Sequence, residues 1–215
     1  MNLNFEYKIV DDFFDKDDLD LILSAITEEE KGQVDDEEIK IFPNRVFKND
    51  IKTSLFSETN LKYLNDKYHS KCIEILKILS PEKVNLYDYS EIDLNLTGKN
   101  YKFPIHSDTP NKLLSCVVYL EPLKNNGTFL FADKKGNGKI EIEWKKNRAL
   151  FFSRKENDSW HSYEGNKDSL RIVLVYNLMT TKIKQVYKIE NKSFYLGAFK
   201  AKLNPYLYKY LNFTI

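Results

Sequence analysis

Cysteine and histidine are scarce in this chain, neither charge sign dominates, and no long hydrophobic run occurs. The only cysteines among its 215 residues are Cys72 and Cys116, both in apolar surroundings. They need no disulfide, so a disulfide-stapled secreted scaffold is disfavoured and a reducing compartment is expected. Lys plus Arg number 33 against 32 Asp plus Glu, a balance that argues against a general affinity for nucleic acid. No apolar run approaches the ~20 residues that span a bilayer. The opening MNLNFEYKIV has neither a basic n-region nor a long apolar h-region. The expectation is a soluble, cytoplasmic protein with no membrane partner. Its length suits one well-buried core and is short for two domains. The abundance of Lys, Asn, Ile, Phe and Tyr carries no functional reading.

Two periods organise what is present. Residues 5–10 fit a short first strand. Leu19, Ile22, Leu23 and Ile26 are spaced for an amphipathic helix over 17–31, with Asp15 or Asp17 to cap it and Gly32 to stop it. A strand interrupted by Pro43 is expected over 39–47. Leu61, Leu64, Tyr68, Cys72, Ile75, Leu76 and Leu79 trace a second helix, over 59–79, that ends at Pro81. From residue 84 the period drops to two. Strands are expected at 84–96, 102–106, 113–121, 128–131, 139–142, 149–152, 159–162 and 171–178, with turn residues between them.

Eight short strands with these turns fit a double-stranded β-helix, or jelly roll, in a mainly β protein with flanking helices packed on one outer face. One domain is expected over 1–215, with N-terminal support to about 83, a jelly-roll core over about 84–180 and an extension over 181–215. The chain is acidic early and basic late. Residues 6–38 hold 14 acidic and 3 basic side chains, and residues 182–209 hold 7 basic and 1 acidic. Solvated surface, with mutual attraction between these segments, is the favoured reading over two binding faces. The turn at Gly136 and Gly138 lacks the Lys-Ser/Thr of a phosphate loop and reads as a hairpin.

The chemistry concentrates in YKFPIHSD, residues 101–108. His106 and Asp108 are one residue apart, so on a strand both side chains face the same way and can grip one ion. A two-His, one-carboxylate set needs a further imidazole, and the other histidines are His69 and His161. His69 lies beside the helical stripe and reads as structural or exposed. His161, in SWHSYEG, opens another strand, and Arg171 follows ten residues later in SLRIVLVYNL. Such a triad occupies one face of an octahedral iron(II) and leaves the other open. The alternative is that His106 and Asp108 are loop polars and His161 a packed histidine.

In order, spacing and flanking residues over about 85–180, this arrangement resembles the 2-oxoglutarate (2OG) and Fe(II)-dependent oxygenases, in particular their prolyl-4-hydroxylase-like branch. The resemblance implies iron held by His106, Asp108 and His161, which are also the catalytic centre. It implies 2OG as co-substrate, O2 as oxidant and ascorbate as a candidate reductant. Arg171 stands where the family places the basic residue that binds the far carboxylate of 2OG, a role suited to its flat, charged fork. Tyr119 matches a phenol supporting the same carboxylate, with a plain strand tyrosine as the alternative. Asn126 to Leu130 resembles the family's Gly-Gly-x-Leu turn, with Asn126 in place of the first glycine. The chain departs from the pattern twice. Ile172 and Val173 follow the arginine where many relatives have Arg-x-Ser, and Leu96 stands ahead of Gly98 where a tyrosine is common, a contact Tyr101 could replace.

Retention of Asp108 separates the chain from the halogenase relatives, which carry a small residue there, so hydroxylation or desaturation is implied. Two other functions stay open: a different mononuclear-metal jelly-roll enzyme, which has no need of Arg171 as an anchor, and a jelly-roll binding module without chemistry. The prime substrate, a small molecule or a protein side chain, is unspecified by the sequence, as is the oligomeric state. Arg154, Lys155 and Arg45 suggest a cationic rim favouring an anionic substrate. Simple solvation of the rim is the alternative.

Overall fold

The computed structural model describes residues 3–48 and 50–211. In chain order the elements are β1 (Tyr7–Val10), α1 (Lys16–Ser24), α2 (Glu28–Gly32), β2 (Ile39–Phe42), β3 (Arg45–Phe47), β4 (Asp50–Lys52) and α3 (Glu58–Leu79), then a 3₁₀ turn (Pro81–Leu86). There follow β5 (Tyr89–Thr97), β6 (Lys102–His106), β7 (Lys112–Glu121), β8 (Thr128–Phe131), β9 (Ile140–Ile142), β10 (Ala149–Phe152), β11 (Trp160–Glu164), β12 (Arg171–Met179), α4 (Ile183–Ile189) and α5 (Phe194–Leu211).

The strands form two antiparallel sheets. The larger runs β1-β10-β7-β12-β5-β3-β4, with β2 also paired to β5, and the smaller runs β6-β11-β8-β9. This is the expected jelly-roll architecture, mainly β with helices outside, and it is not a closed barrel. Strand β12 lies at the centre of the large sheet, which explains its unbroken apolar run: it is buried on both faces. On the outer face Leu94, Leu96, Cys116, Val118, Leu174 and Tyr176 pack with Ile22 of α1 and Leu61, Leu64, Cys72 and Leu76 of α3. On the inner face Tyr119, Leu150, Phe152 and Val173 meet Leu130, Ile142 and Trp144 from the side of the small sheet. Burying a single such leucine contributes about 1.5–3 kcal/mol.

Three boundaries differ from expectation. The helix expected over 17–31 is two helices, because Thr27 starts a new one: its hydroxyl accepts the Glu30 N–H while the Glu30 carboxylate reaches back to the Thr27 N–H. The strand expected from 84 begins at Tyr89, since Pro81 opens a 3₁₀ turn first. The N-terminal region is also more than helical support, for β1 to β4 all join the large sheet.

Candidate functional site

Strands β6 and β11 pair so that His106 lies directly opposite His161, with a register break just beyond, between His161 and Tyr163. The two imidazole rings are 4.1 Å apart between centroids. Asp108 does not belong to a strand as the sequence suggested; β6 ends at His106, and Asp108 sits in the following loop. It nevertheless turns into the same space, with its Oδ2 at 4.0 Å from His161 Nε2. Ligand atoms of His106, Asp108 and His161 all lie within 4.8 Å of one another.

The hydrogen bonds around the triad decide which atoms are free. His106 Nδ1 lies 3.0 Å from the Pro104 carbonyl oxygen, and His161 Nδ1 lies 3.0 Å from that of Ser159. Each ring therefore donates from Nδ1 and keeps a bare Nε2 lone pair, as metal-ligating histidines do. Burial, reinforced by the facing His161, lowers the His106 pKa to about 3, and burial lowers that of His161 as well. Both are neutral near pH 7. Burial alone would raise Asp108, but Lys112, the two imidazoles and Ser115 together hold it below the usual carboxylate range. Its Oδ1 takes the Lys112 ammonium at 2.9 Å and its Oδ2 accepts the Ser115 hydroxyl at 2.6 Å. Two neutral imidazoles and one carboxylate fit a first-row divalent metal with open positions.

A cavity of about 160 Å³ runs from the triad to Arg171 and is lined by Thr128, Tyr163, Val173, Asn95 and Phe152 among others. Arg171 is 1 % exposed. Its guanidinium donates one hydrogen bond, from a terminal nitrogen to Thr128 Oγ1 at 3.3 Å, and its buried Nε has no partner. No carboxylate pairs with it among the described residues. It is surrounded by aromatic faces instead, Tyr163 at 4.6 Å, Trp144 at 5.4 Å and Tyr119 at 5.6 Å. Thr97, opposite Arg171 across the β12–β5 ladder, also has a buried hydroxyl oxygen without a partner. A buried charge left uncompensated is costly. An anion in the cavity would remove that cost, and a dicarboxylate reaching from the guanidinium toward the triad has the required chemistry.

The triad and Arg171 therefore share one cavity, while Tyr119 and Tyr101 do not line it. The Tyr119 hydroxyl accepts the Thr128 N–H at 3.0 Å and faces the Ile142 carbonyl at 3.4 Å, and its ring stacks on Trp144. It supports Thr128, and through it Arg171. Tyr101 stands one ring further out, 6.4 Å from Tyr163. His69 is apart from the site, tilted against Tyr87. The sequence reading missed Thr128, Tyr163, Lys112 and Ser115. Lys112 and Ser115 are four and seven residues after Asp108, on the next strand, a separation with no motif of its own.

The cationic rim is not there. Arg154 is 1 % exposed and bonded to Glu190 and Glu156, with its Nε donating to the Asp108 carbonyl at 3.2 Å. The same Glu190 takes buried Lys83 at 2.8 Å. Arg45 pairs with Glu91 at 3.0 Å, and Lys155 with Asp158 at 3.0 Å.

No family model matches the sequence, and no curated protein is detectably similar to it. Solved structures share its fold. An oxidoreductase of the 2OG-Fe(II) oxygenase family from Burkholderia pseudomallei superposes with a TM-score of 0.55 at 13% identity, covering 80% of this chain and 84% of its own. A viral collagen prolyl hydroxylase from Paramecium Bursaria Chlorella virus-1, solved as its 2OG complex, gives 0.54 at 16% identity, covering 82% and 96%. A prolyl-4-hydroxylase from Pseudomonas putida gives 0.56 at 13%, covering 82% and 94%. The fold is thus the one used by 2OG-Fe(II) oxygenases and prolyl 4-hydroxylases. No described helix is long and apolar enough to cross a membrane.

Proposed function

We propose that the protein is a 2OG- and Fe(II)-dependent dioxygenase that hydroxylates a C–H bond of a small molecule or a protein side chain, releasing succinate and CO2. One observation carries this reading: a buried arginine without a counter-ion shares a cavity with a two-histidine, one-carboxylate cluster. A metal triad alone would suit many hydrolases or isomerases, and those need no fixed cation at the far end of the cavity.

In this reading His106, Asp108 and His161 hold the iron through two Nε2 atoms and one carboxylate oxygen. Iron and 2OG bound there would supply the oxidising chemistry. The chain's own residues do the rest. Arg171 and Thr128 orient the far carboxylate of 2OG, the aromatic wall of Tyr163, Phe152 and Phe103 keeps water from the cavity, and Ser115 and Lys112 hold the Asp108 carboxylate in one orientation. Asp108 occupies the third ligand position, which favours hydroxylation or desaturation over halide transfer. We assign residues 1–215 to one oxygenase domain of cytoplasmic location, with ascorbate as a candidate reductant.

Metal titration of His161→Ala tests the triad. Loss of one ligand of three should weaken Fe(II) or Co(II) binding by orders of magnitude, because the remaining two cannot complete the facial set. Parental affinity in that variant would refute the assignment. Succinate release with candidate substrates tests the activity itself.

A further inference from the structure

Strand β5 carries Glu91, Asp93 and Asn95 on the same side, since side chains two residues apart share a face. Asn95 lines the cavity, and Asp93 lies opposite Val175, which lines it too. Three carboxylates thus lie in or beside the cavity wall: Asp108, which lines it, and Glu91 and Asp93, on the strand face next to its lining residues. Two have cations of their own, Lys112 on Asp108 at 2.9 Å and Arg45 on Glu91 at 3.0 Å. Asp93 has none among the described residues. Its Oδ1 accepts the Asn44 N–H at 3.1 Å. Burial raises its pKa to about 6, the mark of a carboxylate whose desolvation is poorly compensated. Beside it Asn177, opposite Glu91 on β12 and 1 % exposed, has a buried amide oxygen with no donor. Apolar side chains of Ile41, Phe103 and Val175 line the same opening.

We propose that this groove takes a prime substrate bearing a protonated amine or guanidinium on an aliphatic stem, with Asp93 as its counter-ion and Asn177 as a further acceptor. The proposal rests on the oxygenase reading for the position of the C–H bond at the triad. Asp93, Val175 and Val117 form one rung across β5, β12 and β7. Val175 and Val117 both line the cavity, so this rung runs from Asp93 along the cavity wall. The stem packs on Ile41, Phe103 and Val175, and the cation meets the one carboxylate of the three that has no ion pair. Lys112 and Arg45 also attract the Asp93 carboxylate, but each is ion-paired elsewhere, with Asp108 and with Glu91. The logic parallels that at Arg171, although Asp93 is half-buried: an ionic group without an ion pair among the described residues marks the place where a ligand supplies one.

The test uses the full chain loaded with Zn(II) and 2OG, so that no turnover occurs, and calorimetric titration of four probes. These are the Nα-acetyl amides of lysine, arginine, norleucine and glutamate. Lysine or arginine amide should bind at least about ten-fold more tightly than norleucine amide, the effect of one charge-assisted contact in a partly dry site. In Asp93→Asn, which keeps the acceptor for Asn44, that preference should fall to within about two-fold. Equal or tighter binding of norleucine or glutamate amide to the parent protein overturns the proposal, as does an unchanged preference in Asp93→Asn. The ranking in the parent protein decides alone if the variant does not fold. Titrations of Zn(II) and 2OG on the same samples separate the two readings. Failure of 2OG to bind removes the oxygenase assignment, and the probe ranking without 2OG then still decides the role of Asp93. Normal 2OG binding without cation preference removes only the present proposal.

Discussion

Arg154 and Arg171 are buried to the same degree and live in opposite surroundings. Each is 1 % exposed. Arg154 is saturated, with Glu190, Glu156 and the Asp108 carbonyl around it. Arg171 has one threonine hydroxyl and three aromatic rings. Burial alone therefore says nothing about role. What separates a structural arginine from a ligand-seeking one is whether the fold itself supplies the counter-charge. Arg154 is part of the scaffold that holds the Asp108 loop, and Arg171 is the group that the proposed function pairs with a co-substrate carboxylate.

The comparison can be broken most directly at Arg154. Arg154→Ala leaves Glu190 and Glu156 without their cation, and Lys83 alone cannot replace it. A loss of about 3–5 kcal/mol in urea unfolding is expected, together with weaker metal binding because Asp108 loses its backbone anchor. A variant as stable as the parent would show the cluster to be surface-like in energy.

Arg171→Met should show the reverse pattern. It keeps much of the apolar stem and deletes an uncompensated charge, so unfolding of the 2OG-free protein should be unchanged or shifted to higher urea. Binding of 2OG to the Zn(II) form should weaken by about 2–4 kcal/mol, the range for losing a buried charge-assisted pair. Arg171→Lys keeps the charge without the fork and should fall between parent and Met. If both variants take up 2OG like the parent, the anchor lies elsewhere.

The smallest effect is expected at Tyr119, which stands behind Arg171 without lining the cavity. Tyr119→Phe removes the acceptor of the Thr128 N–H and should cost about 1 kcal/mol of stability. Its effect on 2OG affinity should be smaller than that of Arg171→Lys. An equal or larger effect would make the phenol a direct contact after all.

Much of the fold was legible because the local signals agreed with the global one. All eight strands expected after residue 84 have counterparts, since each was bounded by turn residues and carries β-forming apolar side chains. That His106, Asp108, His161 and Arg171 come together in one cavity was legible through their order and spacing along the chain. The break at Thr27 escaped because apolar spacing ran across it while the capping pair of Thr27 and Glu30 was overlooked. The role of Arg154 was misread for a physical reason: its partner Glu190 lies 36 residues on, and neighbouring Glu156 and Asp158 made the segment look like a solvated loop. Lys112, Ser115 and Asp93 were invisible because they become neighbours of the site only when β5, β7 and β12 are laid side by side. Helices α4 and α5 were not anticipated. In α5 no acidic residue marks the first turn, and Pro205 interrupts the pattern.

The link from Glu190 through Arg154 to the Asp108 carbonyl also bears on how the chain matures. During synthesis, which delivers the N-terminus first, all three proposed metal ligands have been made once residue 161 is added. The carboxylate that fixes Arg154, and with it the backbone of the Asp108 loop, is made only at residue 190. A nascent chain thus passes through a stage with all three proposed ligands present and the Asp108 loop unanchored, which ends only when translation passes α4.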